Sequence, residues 1–246
     1  MLILLSPSKK QNFKQKIDLC TYSEPLFKEE TLSLVEKIKK YSILDFIENF
    51  NVSEKIANQV YSFYENWGDS VNEMSAAIAA YSGEAFTGLD AKTLSCENLE
   101  YAQDHLLILC SLYGILRPMD IIEAYRLDYK SVLNDINLYD FWKTKISEYL
   151  INRNDNLIVN LSSKEYSDSI DFSLIKSKCI NVEFKEDDGD KLRSIVIYIK
   201  KARGAMARFI IENKVETIDE LKKFDSLGYK YHSQEDYTLV FTRKKQ

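Results

Sequence analysis

The chain has 246 residues, 45% hydrophobic and 12% aromatic, enough to bury one large core, and its seven glycines and three prolines form no linker-like run. Its 33 lysines and arginines against 38 aspartates and glutamates give a net charge of −5, which argues against a uniformly basic polyanion binder. No apolar run approaches the roughly 20 residues of a membrane span, and residues 1–5 lack the basic flank and cleavage site of a secretory signal, so a cytoplasmic protein with no membrane partner is expected.

In chain order, residues 2–5 read as a strand, and the following Ser6-Pro7-Ser8-Lys9 places a hydroxyl and an ammonium at a strand's carboxyl end, a common place for ligand loops. Helical periodicity covers 28–40, 53–66, 72–80, 97–109 and 138–150, with a further helix-break-helix pattern over 44–64. Strands are expected at 157–161, 179–185 and 193–200, helices at 202–213 and 217–224, and a last strand at 238–242. The five carboxylates between Glu183 and Asp190 face one lysine, which reads as a solvated hairpin tip. The sum is an α+β fold of α/β type: one domain over 1–246, with a central mixed sheet wrapped by helices and a mainly helical lobe at 20–105 packed on it. The N-terminal strand is threaded into a mostly C-terminal sheet.

Cys20, Cys96, Cys110 and Cys179 are widely spaced and read as reduced and mostly buried. With only two histidines, neither a metal site nor a cofactor is expected. The chain has no Walker loop, GxGxxG sequence or serine-nucleophile elbow, so no catalytic residue is assigned.

Three segments could meet a phosphate. In the break at 49–53, Asn51 and Ser53 stand where a helix-hairpin-helix element usually carries glycines, with Lys55 just beyond; Asn tolerates left-handed backbone, and a helix amino end favours anions. A plain helical hairpin packed on the core is the competing reading. Residues 1–17 carry Lys9, Lys10, Lys14 and Lys16 without an acid, and 200–214 carry Lys200, Lys201, Arg203, Arg208 and Lys214 against Glu212 alone. In the latter stretch Ala202, Ala205, Met206, Phe209 and Ile210 make an apolar stripe opposite the cations, and Gly204 removes a side chain beside them. A solvated helix face would look similar. Finally, Arg117 and Arg126 are suited to bidentate phosphate contacts, but Asp120 and Asp128 offer ordinary ion pairs.

The opening 2–9, Tyr81-Ser82-Gly83 with Phe86-Thr87-Gly88-Leu89, the 112–120 run, 139–142, 159–166 and Lys200 to Asn213 together resemble the YaaA peroxide stress resistance family over nearly the whole chain. Ala124, Lys10 and Asp128-Tyr129 depart from its usual pattern but leave the arginines intact. The resemblance implies a cytoplasmic peroxide-stress protein with a compact fold, a helix-hairpin-helix element and a basic cleft. It also implies DNA binding that limits iron-linked oxidative DNA damage. DNA, duplex or distorted, is the expected partner, bound with little sequence preference, and Lys9, Arg117, Arg126, Lys201, Arg203 and Arg208 are expected to gather around one cleft. The alternative is an enzyme acting on a phosphorylated ligand or nucleic acid in that cleft.

Overall fold

The wholly apolar Leu2–Leu5 segment forms β1, buried at every position and flanked on both sides by parallel strands. The computed structural model describes all residues except Lys16, Cys20, Lys176, Ser177 and Gln246, and the side chain of Lys178. The readings of Lys16 as part of a basic stretch and of Cys20 as a reduced thiol lie outside the described residues. After β1 the chain forms α1 (Lys28–Ile38), α2 (Ile43–Phe50), α3 (Glu54–Glu65), β2 (Met74–Ala76), α4 (Ala77–Ala80), α5 (Glu84–Leu89) and α6 (Cys96–His105). Then come β3 (Leu106–Cys110), β4 (Gly114–Leu116), β5 (Ile121–Glu123), α7 (Leu138–Arg153), β6 (Leu157–Asn160) and α8 (Lys164–Ser167). The last third holds β7 (Lys178–Asp187), β8 (Leu192–Arg193), α9 (Val196–Asn213), α10 (Ile218–Leu221), β9 (Lys230–Glu235) and β10 (Thr238–Lys244).

The main sheet runs β4-β3-β1-β6-β7-β10-β9, with β8 on the far end of β7 and a separate β2-β5 pair. Its five middle strands are parallel; β4, β8 and β9 are antiparallel additions at its margins. Strands buried on both faces are continuously apolar, as parallel strands covered by helices must be. The fold class therefore holds: a mixed sheet wrapped by helices, with the N-terminal strand inserted between β3 and β6. Buried residues from Leu2 to Phe241 join one hydrophobic cluster.

Three expected elements change. The helix expected over 97–109 ends at His105, and Leu106–Cys110 becomes β3, entirely buried beside β1. A short apolar run is ambiguous between a buried helix turn and a buried strand, and the partner strand decides. The strand expected over 193–200 survives only as β8; from Val196 the chain is helical. Leu192 and Arg193 pair with the end of β7, after which the chain leaves the sheet and the β-branched run satisfies its amides within a helix. That leaves Val196, Ile197 and Tyr198 at 65%, 53% and 41% exposure. The helices expected at 72–80 and 217–224 shrink to single turns, the first preceded by β2.

The acidic segment turns back as expected, with β8 pairing the end of β7 around an exposed Gly189-Asp190-Lys191 tip. Glu186 is an exception, buried against Arg243 at 2.7 Å. Among the cysteines, Cys110 and Cys179 are free, but Cys96 is exposed and disulfide-bonded, which corrects the reduced reading for that residue.

Candidate phosphate-binding site

In a parallel sheet the loops leaving the carboxyl ends of neighbouring strands meet at one edge, and here they are bonded to one another. Ser6, just beyond β1, accepts a hydrogen bond from the Ser163 amide just beyond β6 at 2.8 Å. Lys9 Nζ reaches Asp128 at 2.7 Å. The Tyr125 amide donates to Gln11 at 3.3 Å, and the Ser82 amide to the Lys10 carbonyl at 3.0 Å. Ser111, following β3, donates to the Leu127 carbonyl at 2.7 Å. A Cβ on Gly83 would collide with Ser8, so the 81–83 turn is seated directly on the first loop.

Beside this edge lies a recess of about 630 Å³ between β6, β7, α8 and α9. Its floor is polar: Asn160, at the end of β6, donates to Asn181 at 2.9 Å and accepts from the Ser162 hydroxyl at 2.6 Å. Arg203 of α9 lines it together with Lys143 of α7. Buried Arg203 Nε has no hydrogen-bond partner. Burial pulls the Arg203 guanidinium below its usual value, with Glu183 acting in the other direction. Three more buried polar atoms are orphaned along the same loops: Arg126 Nε, Tyr129 OH and Glu165 Oε1. Tyr129 stacks on Tyr139 at 4.7 Å and meets Tyr166 edge-on, near a Ser169 hydroxyl that is donated to the Tyr166 carbonyl instead. Burial raises the Tyr129 and Tyr166 phenols far above their ordinary range, so both stay neutral. Native interiors rarely leave such atoms unpaired, and their concentration at one sheet edge is what a ligand site looks like before it is filled.

The sequence-predicted residues divide into three groups. Lys9, Arg126 and Arg203 lie along this edge or its recess, although Lys9 is ion-paired. Arg117 and Arg208 are committed elsewhere. Arg117 holds the fully buried Asp120 through Nε and Nη2 at 3.1 and 2.9 Å, and Nη2 also donates to the Glu24 carbonyl. Asp120 in addition accepts from Ser23 at 2.6 Å, so the group is a structural clamp. Arg208 caps the end of α5, donating to the Leu89 and Asp90 carbonyls, Thr93 and Glu212. The six cations thus do not converge on one cleft, because arginines beside buried carbonyls and carboxylates are drawn into internal pairs first. Lys200 and Lys201 form the third group: they sit on the amino half of α9, make no ion pair among the described residues, and have no acid in the helix's first turn. Around the α9 axis Lys200 stands between Lys201 and Arg203, since successive residues turn 100°.

Asn51 and Ser53 are exposed, as is Lys55. Asn51 ends α2 in the left-handed conformation at φ 49°, and Ser53 starts α3 without a side-chain cap. The Asn51 and Val52 amides are both turned back onto the Ile47 carbonyl, so the turn does not offer them outward as the helix-hairpin-helix reading required. Asn160, Ser162, Asn181 and Lys143 were not singled out from the sequence. The one signal was a polar Asn-Leu-Ser-Ser step closing an otherwise apolar strand.

Among the described residues no cluster of histidine, cysteine and carboxylates could hold a metal ion, and no helix is long and apolar enough to cross a membrane. A family model described as peroxide stress protein YaaA matches residues 1–235. A UPF0246 protein of Francisella philomiragia is 36% identical over 254 residues, covering 99% of this chain and 100% of that protein. A UPF0246 protein of Francisella tularensis subsp. novicida is likewise 36% identical over 255 residues with the same coverage. The residues that build the site, from Ser6 to Arg203, all fall inside the matched span, and the chain belongs to the YaaA family of peroxide stress proteins.

Proposed function

We propose that this cytoplasmic protein serves the peroxide stress response by binding DNA, largely without regard to sequence, and so limits iron-linked oxidative damage to it. The observation that carries this reading is the uncompensated Lys200 and Lys201 pair at the amino half of α9. Lys200 and Lys201 set two positive charges side by side in the second turn of α9, and phosphates are the complementary anion that DNA supplies at every step. The exposed hairpin around Asn51 and Ser53, with Lys55, supplies a second contact.

Phosphate-dominated binding weakens steeply with salt. Each lost duplex contact lowers the slope of log affinity against log salt by about 0.9, so Lys200→Ala and Lys201→Ala should each flatten it by roughly one unit and weaken unrelated sequences equally. Fluorescence anisotropy with labelled duplex, junction and single-stranded DNA measures this directly. If wild-type protein binds none of them at about 50 mM salt, the reading is wrong.

A further inference from the structure

The recess between β6, β7, α8 and α9 carries features that a DNA-facing helix does not require. Its volume, about 630 Å³, is that of a small-molecule site and too confined for a duplex. Two of its carboxylates are already neutralised: Asp168 by Lys164 at 2.8 Å, and Glu183 by Lys185 at 2.8 Å. Asp171, whose carboxyl is held down first by its Ser173 hydrogen bond, feels Lys143 only weakly. Two positive charges therefore remain facing the recess, Lys143 and Arg203, and neither forms an ion pair among the described residues. Arg203 is costly where it stands: its Nε is buried without a partner beside an apolar helix face. Leaving a buried charged donor unsatisfied costs more than an ordinary lost hydrogen bond, so the position is explained if an anion completes it. Opposite the cations, Ile170 and Phe172 give the recess an apolar wall, and Asn181 adds an amide at its exposed rim.

We propose that this recess binds a small organic phosphate, with its phosphate group held by Arg203 and Lys143 and its remaining part resting on Phe172 and Ile170. A phosphate monoester carries about −1.5 to −2 charges near neutral pH, matching the two free cations. Arginine's planar fork suits two phosphate oxygens, and lysine adds a mobile point charge. The Asn160–Ser162 pair stiffens the floor beneath them. The site is separate from the DNA reading, because Lys200 and Lys201 are outside the recess.

Isothermal titration calorimetry on the full chain tests it with three probes: adenosine 5′-monophosphate, inorganic phosphate and adenosine. The monophosphate should bind with a dissociation constant below about 1 mM, inorganic phosphate more weakly, and adenosine not measurably. Arg203→Gln should weaken the monophosphate at least about tenfold and Lys143→Ala by about three- to tenfold, because charge-assisted hydrogen bonds are lost. The Lys200→Ala/Lys201→Ala double variant should bind it unchanged while losing DNA affinity, which separates failure of this inference from failure of the DNA reading. The proposal is overturned if neither phosphate probe binds the wild type at about 5 mM, if adenosine binds as well as its monophosphate, or if the double variant abolishes binding. It is equally overturned if Lys143→Ala leaves affinity unchanged. Lys143 is exposed, so this variant remains decisive even where circular dichroism shows Arg203→Gln to be unfolded.

Discussion

Gly204 and Gly88 show how tightly single residues control the approach of α5 to α9. A Cβ on Gly204 would collide with the Ala85 carbonyl, and one on Gly88 with the Lys201 carbonyl, so backbone rather than flexible side chain would have to move. Gly204→Ala should therefore lower the unfolding free energy in urea by about 1–3 kcal/mol, although alanine is the better helix former; a stabilised variant would show that the two helices are not this close. Arg243 is a second such position. It pairs with Glu186 at 2.9 and 2.7 Å, with side chains 9% and 5% exposed, and lies 4.1 Å over the Tyr198 ring. Removing only Glu186, as in Glu186→Ala, strands a buried charge and should cost about 3–5 kcal/mol. The combined Glu186→Leu/Arg243→Met variant should recover most of that loss in the same denaturation assay. Burial also pushes the Cys179 thiol from 9.0 up to about 11. The unfolded chain ionises first as pH rises, so the stability this thiol contributes is present below about pH 9 and is lost between about 9 and 11. Cys179→Ala should flatten that part of a stability-against-pH curve, and an unchanged curve would assign the alkaline loss to the buried tyrosines.

Among the elements, α9 and the α2–α3 hairpin separate packing from exposure most clearly. α9 buries Ala202, Met206, Ala207 and Ile210 while Lys200 is exposed and Lys201 half-buried. The apolar stripe expected over 202–213 is correct; the expected strand before it is cut short at β8, because from Val196 the chain leaves the sheet as a helix. In the hairpin, Asn51 adopts φ 49°, where asparagine and glycine are tolerated and β-branched residues are not. Asn51→Gly should therefore be nearly neutral, whereas Asn51→Val should cost about 1–2 kcal/mol in thermal or urea unfolding. If Lys55→Ala alone lowers affinity, the contact runs through the side chain.

Over the whole molecule, local pattern and tertiary placement contributed different things. The strands at 2–5, 157–161, 179–185 and 238–242 and the helices at 28–40, 53–66 and 138–150 were legible because each is long or apolar enough to announce its period. The segregation of charge between the basic 200–214 stretch and the acidic 183–190 segment was legible too, because it needs only composition in a window. Helix or strand for Leu106–Cys110 depended on the parallel pairing with β1, and for 193–200 on where the chain leaves β7 to pack as α9, both properties of the assembled fold. The same limit applied to the site. Lysines and arginines could be nominated from their neighbours in the chain, and Asp120 and Glu212 stand near enough in sequence to be foreseen as pairs, but the backbone carbonyls that complete the clamps, Glu24 for Arg117 and Leu89 for Arg208, lie 93 and 119 residues away. Asn160 and Asn181, 21 residues apart, meet only because β6 and β7 pair in that register. Periodicity, charge layout and family membership are therefore written along the chain. The recess, its orphaned arginine and the loss of Arg117 and Arg208 to internal clamps arise only when distant segments compete for the same hydrogen bonds.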